Sequence, residues 1–141
     1  MRKEVDRCKL AIEEALKGKT VAMISSGDAG VYGMAGIMYQ VAAEHPELEI
    51  EVVPGITAAC SGAAVLGAPL ISDFCLISLS DLLTPWEKIE KSLDCASQAD
   101  FCICLYNPSS FKRHDYLQKA CDIMLKNQRP DVPAGIVRNI G

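Results

Sequence analysis

At 141 residues, with 50% hydrophobic and 23% charged residues, the chain has the size and composition of one ordinary folded domain or parts of two small ones. Its net charge of −4 includes no basic block, which argues against a nucleic-acid surface and leaves local binding of an acidic ligand open. No apolar run approaches the roughly 20 residues that span a bilayer. The opening MRKEVDRCKL has no apolar segment behind its basic residues, so no membrane span and no secretory signal are expected, and the cytoplasm is the expected compartment.

Apolar residues at Val5, Cys8, Ile12, Ala15 and Leu16 predict an amphipathic helix closed by Gly18. A strand is expected over Thr20–Ile24, then the turn SSGDAGVYG at 25–33, then a helix from about Val31 to Glu44 that ends before Pro46. A short strand over Ile50–Val53 leads through Pro54-Gly55 to a small-residue helix, about Thr57 to Leu66. Phe74–Ser80 reads as a strand, and Thr84-Pro85-Trp86-Glu87 as a helix start with threonine as cap. Trp86, Ile89, Leu93 and Ala96 form the buried stripe of that helix. Phe101–Tyr106 is an expected strand, Leu117, Ala120, Cys121, Met124 and Leu125 mark a further helix, and Ala134–Val137 an expected last strand.

Strands alternating with helices of this length imply βαβ crossovers, an α/β fold and a largely parallel sheet. Loop chemistry near residues 67–73 suggests a seam between two similar halves. The seven cysteines are odd in number and contain no Cys-x-x-Cys pair, so neither a disulfide framework nor a metal site is expected, and a reducing compartment fits. Cys102 and Cys104 are two apart in a strand and should share one face as small buried hydrophobes. Gly18-Lys19-Thr20 mimics the end of a phosphate-binding loop. That motif needs a glycine where Glu13 stands, and a strand before it with a helix after, so the stretch reads as a helix C-terminus.

Ligands of open parallel sheets bind beyond the carboxyl ends of the strands. Three such ends stand out here: SSGDAGVYG, PGITAAC and YNPSS. Glycines let a backbone approach a ligand closely or adopt positive φ. Asp28 can accept hydrogen bonds from a ligand's hydroxyls or ammonium, or cap the following helix; Thr57 is open to the same two readings. Tyr106-Asn107-Pro108 also reads as a plain strand-ending turn. His45 and His114 sit among polar residues and read as solvated. No nucleophile–base pair follows from spacing, so the residues alone lead to an α/β ligand-binding protein.

Taken in order, the three strand ends resemble a known family. SGDAGVYG resembles the SGDPxxYG element of the tetrapyrrole methyltransferases, and VVPGITAA resembles that family's second element. LISLSDLLTPWEKIEK, LYNPSSFKR and PAGIVRN follow in order, and Ala29 replaces the usual proline, as in the C17-methylating branch. The resemblance implies methyl transfer from S-adenosylmethionine to C17 of precorrin-3B or its cobalt form, with ring contraction, in cobalamin synthesis. It implies S-adenosylhomocysteine as product, a tetrapyrrole as substrate, a homodimer, and a cofactor cleft between two α/β domains. Family members begin with a strand and a glycine-rich loop that this chain does not show. The chain is therefore expected to be a central fragment, with residues 1–72 the rear of the cofactor-side domain and 73–141 the front of the second.

By the same resemblance, Ser26, Gly27 and Asp28 form one wall of the cofactor site with Val31 beside them. Thr57 and Ala58 form another wall, Asn107 reaches the cofactor from the second domain, and Ile140 adds a contact. No catalytic base is implied. Lys112 and Arg113 are candidate positive residues for a polycarboxylate substrate, or else charges on a solvated face. Two readings from other classes stand beside this one. One is a non-catalytic cofactor-binding fragment or assembly partner, which measurable methyl transfer excludes. The other is a flavodoxin-like nucleotide-binding module, which no phosphate motif supports.

Overall fold

The computed structural model describes residues 3–110 and 113–140. Compact packing divides the chain into two units, 1–58 and 59–141. The elements run α1 (Glu4–Leu16), α2 (Ala35–Ala42), α3 (Ala58–Val65), β1 (Phe74–Ser78), α4 (Trp86–Gln98), β2 (Cys102–Tyr106) and α5 (Tyr116–Met124). Among the described residues the five helices fall on stretches expected to be helical, α3 on the small-residue stretch and the others on apolar spacing.

In the first unit α1 packs on α2, and the buried residues are Cys8, Ile12 and Ala42. Val5 and Leu16, expected in the buried stripe of α1, are about half exposed. The helix ends as its sequence requires. Gly18 takes φ +81°, its N–H reaches the carbonyl of Ala15, and that of Lys17 reaches Glu14. The expected strands at 20–24 and 50–53 do not form. A strand exists only when its N–H and C=O groups meet those of a neighbour, and among the described residues neither segment takes part in a ladder. Ile24 and Val53 are 92% and 73% exposed. Tyr39 ties α2 to the second segment through its hydroxyl, which donates to the carbonyl of Ile50 at 3.3 Å.

The second unit holds the ladder of the described residues, β1 parallel to β2, with Phe74 opposite Cys102 and Ser78 opposite Tyr106. Alternation along the two strands gives them two faces. Cys75, Ile77, Ile103 and Leu105 face the core formed with Leu79, Ile89, Leu93, Ala120 and Ile123 from the β1 end, α4 and α5. Leu76, Ser78, Cys102, Cys104 and Tyr106 occupy the other face. The cysteines there are half-buried rather than fully buried, and all seven thiols of the chain are free. Burial among its neighbours pushes the Cys104 thiol up to about 11.

Helix α4 opens with Pro85 at the cap position, φ −57° and ψ 145°, and without a side-chain cap. The expected cap at Thr84 is thus replaced by proline's own fixed φ, which sets the entry of the chain. The buried stripe of α5 is Tyr116, Ala120, Ile123 and Met124. Leu117 and Leu125, expected inside, are 37% and 51% exposed, because the ring of Tyr116 packs on that of Trp86 at 4.5 Å and sets the helix rotation. Residues 134–137 form no strand either. They pack on α3 and the residue after it: the Val137 side chain lies on Gly62, and the Leu66 side chain lies against Gly135.

Leu93 is fully buried at the centre of this core. Leu93→Ala is expected to lower the unfolding free energy by about 2–5 kcal/mol in urea titration, whereas Leu117→Ala is expected to stay within about 0.5 kcal/mol.

Candidate functional site

The turn at 25–33 and the loop at 54–57 meet in the first unit through one carboxylate. Asp28 Oδ1 accepts the N–H groups of Gly30 at 2.7 Å and Val31 at 3.1 Å. Its Oδ2 accepts the N–H of Gly55, 27 residues away, at 2.9 Å. Hydrogen bonds to the charged form favour it, and the Gly55, Gly30 and Val31 amides hold the Asp28 carboxyl below its ordinary range. Helix α2 begins at Ala35 behind Met34 and has no side-chain cap. Asp28 therefore closes its own turn and pins a distant loop; it does not cap α2.

Steric fit reinforces the junction. A Cβ on Gly55 would fall on the carbonyl oxygen of Gly27, well inside contact distance. Gly27 itself takes φ +73° and faces the backbone of Ile56 and Thr57, a conformation that side-chain-bearing residues rarely adopt. Farther along, Tyr32 has φ 52° and the N–H of Ala35 returns to the carbonyl of Ala29 at 3.0 Å.

The structure thus brings Ser26, Gly27, Asp28, Val31, Thr57 and Ala58 into one neighbourhood. Ser26, Gly27 and Ala58 are exposed, while Asp28, Val31 and Thr57 are half-buried. Small side chains border two backbones that already touch, so the surface they form is made largely of main chain.

Asn107 lies in the second unit, at the carboxyl end of β2. It takes φ 51°, and its Nδ2 donates to Ser78 Oγ at 3.0 Å. Ile140 is 38% exposed near the end of that unit. Lys112 falls outside the described residues. Arg113 is no solvated surface charge, since its side chain is only 12% exposed. Nη1 donates to the carbonyl of Leu79 at 3.0 Å, Nε donates to Ser110 Oγ at 3.1 Å, and Nε lies 3.8 Å from Asp81 Oδ1. Asp81 in turn accepts the hydroxyl of Tyr116 at 2.6 Å and raises that phenol's pKa. Sequence reasoning missed three parts of this picture: Gly55 as partner of Asp28, the Asp81–Arg113–Tyr116 network, and the use of Tyr106, whose hydroxyl accepts the N–H of Ala59. Only the position of Gly55 behind Pro54 hinted at the first. Among the described residues no group of His, Cys, Asp and Glu could hold a metal ion, and no helix is long and apolar enough to cross a membrane.

Residues 2–141 match the profile of the tetrapyrrole (corrin/porphyrin) methylases. The chain belongs to that family. It is 48% identical over 142 residues to a probable cobalt-factor III C(17)-methyltransferase of Salmonella typhimurium, with all of this chain and 59% of that protein covered. It is 51% identical over 144 residues to a cobalt-factor III methyltransferase of Priestia megaterium, covering 99% of this chain and 27% of that one. The crystal structure of the methyltransferase CobJ superposes with a TM-score of 0.86 at 42% identity, covering 92% of this chain and 55% of the other. The chain spans a little over half the length of the Salmonella protein and of CobJ. Its fold is the α/β fold of the tetrapyrrole methylases.

Two substitutions test the junction. A carboxyl whose folded pKa is depressed stabilises the protein fully above its unfolded value, near 3.8 for Asp28, and loses that contribution as pH falls through the folded value. Asp28→Asn is therefore expected to melt below the parent at neutral pH, with the gap closing below about pH 4. A gap that keeps its size in acid contradicts the assignment. Gly55→Ala is expected to lower the unfolding free energy by on the order of 3 kcal/mol, read from the urea midpoint.

Proposed function

We propose that the protein transfers a methyl group from S-adenosylmethionine to C17 of precorrin-3B or its cobalt form, with ring contraction, in cobalamin synthesis. The observation that carries this reading is the Asp28–Gly55 junction, in a chain 48% identical to a probable cobalt-factor III C(17)-methyltransferase and 51% identical to a cobalt-factor III methyltransferase. Within it, residues 1–72 belong to the cofactor-side domain and 73–141 to the second, and the enzyme works as a homodimer in the cytoplasm.

The donor set fits an adenosyl cofactor. Exposed Ser26 and half-buried Thr57 carry hydroxyls, Gly27 and Ala58 leave room, and the backbone beside them is held at fixed spacing. Asp28 has lone pairs beyond the three N–H groups that it accepts, so one carboxylate can hold the loops and face an ammonium or ribose hydroxyl. Val31 supplies apolar packing, and Asn107, whose Nδ2 is held by Ser78, offers its Oδ1. S-adenosylmethionine held there would supply an activated methyl group. What these residues contribute is orientation, because aligning donor and acceptor can supply a large part of such an acceleration.

The test is calorimetric titration with S-adenosylhomocysteine, followed by an assay of methyl transfer to cobalt-precorrin-3. Saturable binding that weakens about tenfold or more in Thr57→Trp is expected, through loss of shape fit at the loop. A folded protein that binds neither S-adenosylmethionine nor its product refutes the proposal.

A further inference from the structure

Tyr106 closes β2, and its phenol oxygen accepts the main-chain N–H of Ala59 at 2.8 Å, across 47 residues of sequence. Ala59 is the second residue of α3 and only 9% exposed. Its N–H is one of the donors at a helix start that have no intrahelical acceptor. Helix α3 has eight residues, AACSGAAV, and no acidic residue in its first turn. The phenol is thus a cap supplied from a distant strand. The next residue extends the arrangement. Asn107 takes φ 51° and donates to Ser78 Oγ at 3.0 Å, and Ser78 is the ladder partner of Tyr106 and also accepts the N–H of Ser80 at 3.2 Å. The Tyr-Asn pair therefore joins the start of α3 and the end of β1 to the end of β2.

We infer that Tyr106 is a positioning residue for the cofactor: its phenol oxygen fixes the first turn of α3, and through it the Thr57-Ala58 segment that leads directly into that turn. The inference rests on the adenosyl-binding role proposed for that segment. Tyrosine suits the task because its ring has few rotamers and places one oxygen at a fixed reach. Phenylalanine keeps the packing and leaves the Ala59 N–H without its acceptor, so the turn must shift or admit water to satisfy it. A helix start moved by a fraction of an ångström carries Thr57 and Ala58 with it, and site geometry is sensitive to such shifts.

Calorimetric titration of the full chain with S-adenosylhomocysteine separates affinity from folded fraction, since unfolded protein lowers the stoichiometry and leaves the Kd in place. For Tyr106→Phe the Kd is expected to rise about tenfold at unchanged stoichiometry, and KM for S-adenosylmethionine to rise while KM for the tetrapyrrole holds. A merely structural tyrosine would lower the stoichiometry and kcat and leave both KM values in place. An unchanged Kd in the folded variant overturns the positioning role and leaves the methyltransferase reading standing. A parent protein that binds no S-adenosylhomocysteine overturns both. Should the variant not fold, amide exchange in the parent decides: S-adenosylhomocysteine is expected to slow exchange at Ala59 and Cys60 by roughly fivefold or more. Equal exchange with and without the ligand overturns the inference.

Discussion

The structure of the candidate site depends on where one negative charge is placed. Asp28 directs both carboxylate oxygens at main-chain N–H groups, two from its own turn and one from the loop after Pro54. No substitution other than proline removes a main-chain N–H, so the partners of this carboxylate tolerate changes of side chain that a lysine or arginine partner would not. The contact also works in concert with sterics. The Gly55 amide can reach Oδ2 only because no Cβ stands between the two loops, and the carbonyl of Gly27 occupies the place where one would be. Charge and absence of volume are two halves of one device: the aspartate draws the loops together, and the glycine lets them arrive.

The second unit uses the same economy with other groups. Its two strands have five residues each and would be marginal as an isolated pair. Side chains extend the ladder's work at its carboxyl end. Arg113 takes up the carbonyl of Leu79, Asn107 engages Ser78, and Tyr106 reaches the start of α3. On the opposite face the core of Ile77, Leu79, Ile89 and Leu93 supplies the apolar burial that favours the compact state. Polar groups therefore fix the end of the strands where ligands of such sheets bind, while hydrophobic packing stabilises the rest.

What could be read from the sequence follows from the range of the interaction concerned. Helices are local: the bonds run four residues back, and the spacing of Ile89 and Leu93, or the glycine after Lys17, states both the helix and its end. Strands are not local. Val21 and Ile24 or Ile50 and Val52 have the composition of strand residues, yet whether they pair is settled by a neighbour that periodicity does not name. The rotation of α5 departs from its apolar spacing for a related reason, since the Tyr116 ring packs at a tilt against Trp86 and Ile123 faces inward in place of Leu125. At the site, the motifs located the loops but not the bonds between them. Nothing in the spacing of Asp28 and Gly55, or of Tyr106 and Ala59, marks those residues as partners, because both contacts close over long stretches of chain.

The cysteines of the second unit carry a consequence for its chemistry in the cell. With its thiol at about 11, Cys104 is overwhelmingly protonated near neutral pH, and the thiolate is the species that attacks oxidants and electrophiles. The sheet thus keeps polarisable sulfur beside Tyr106 as inert filling. Cys60 and Cys95 are exposed, and so more open to peroxide or alkylating agents than the half-buried thiols of the strands. Cys60 follows Ala59 directly, so an adduct on its sulfur would load the very turn that Tyr106 holds. Modification by a thiol reagent would then report on the start of α3 while sparing the strands beneath it.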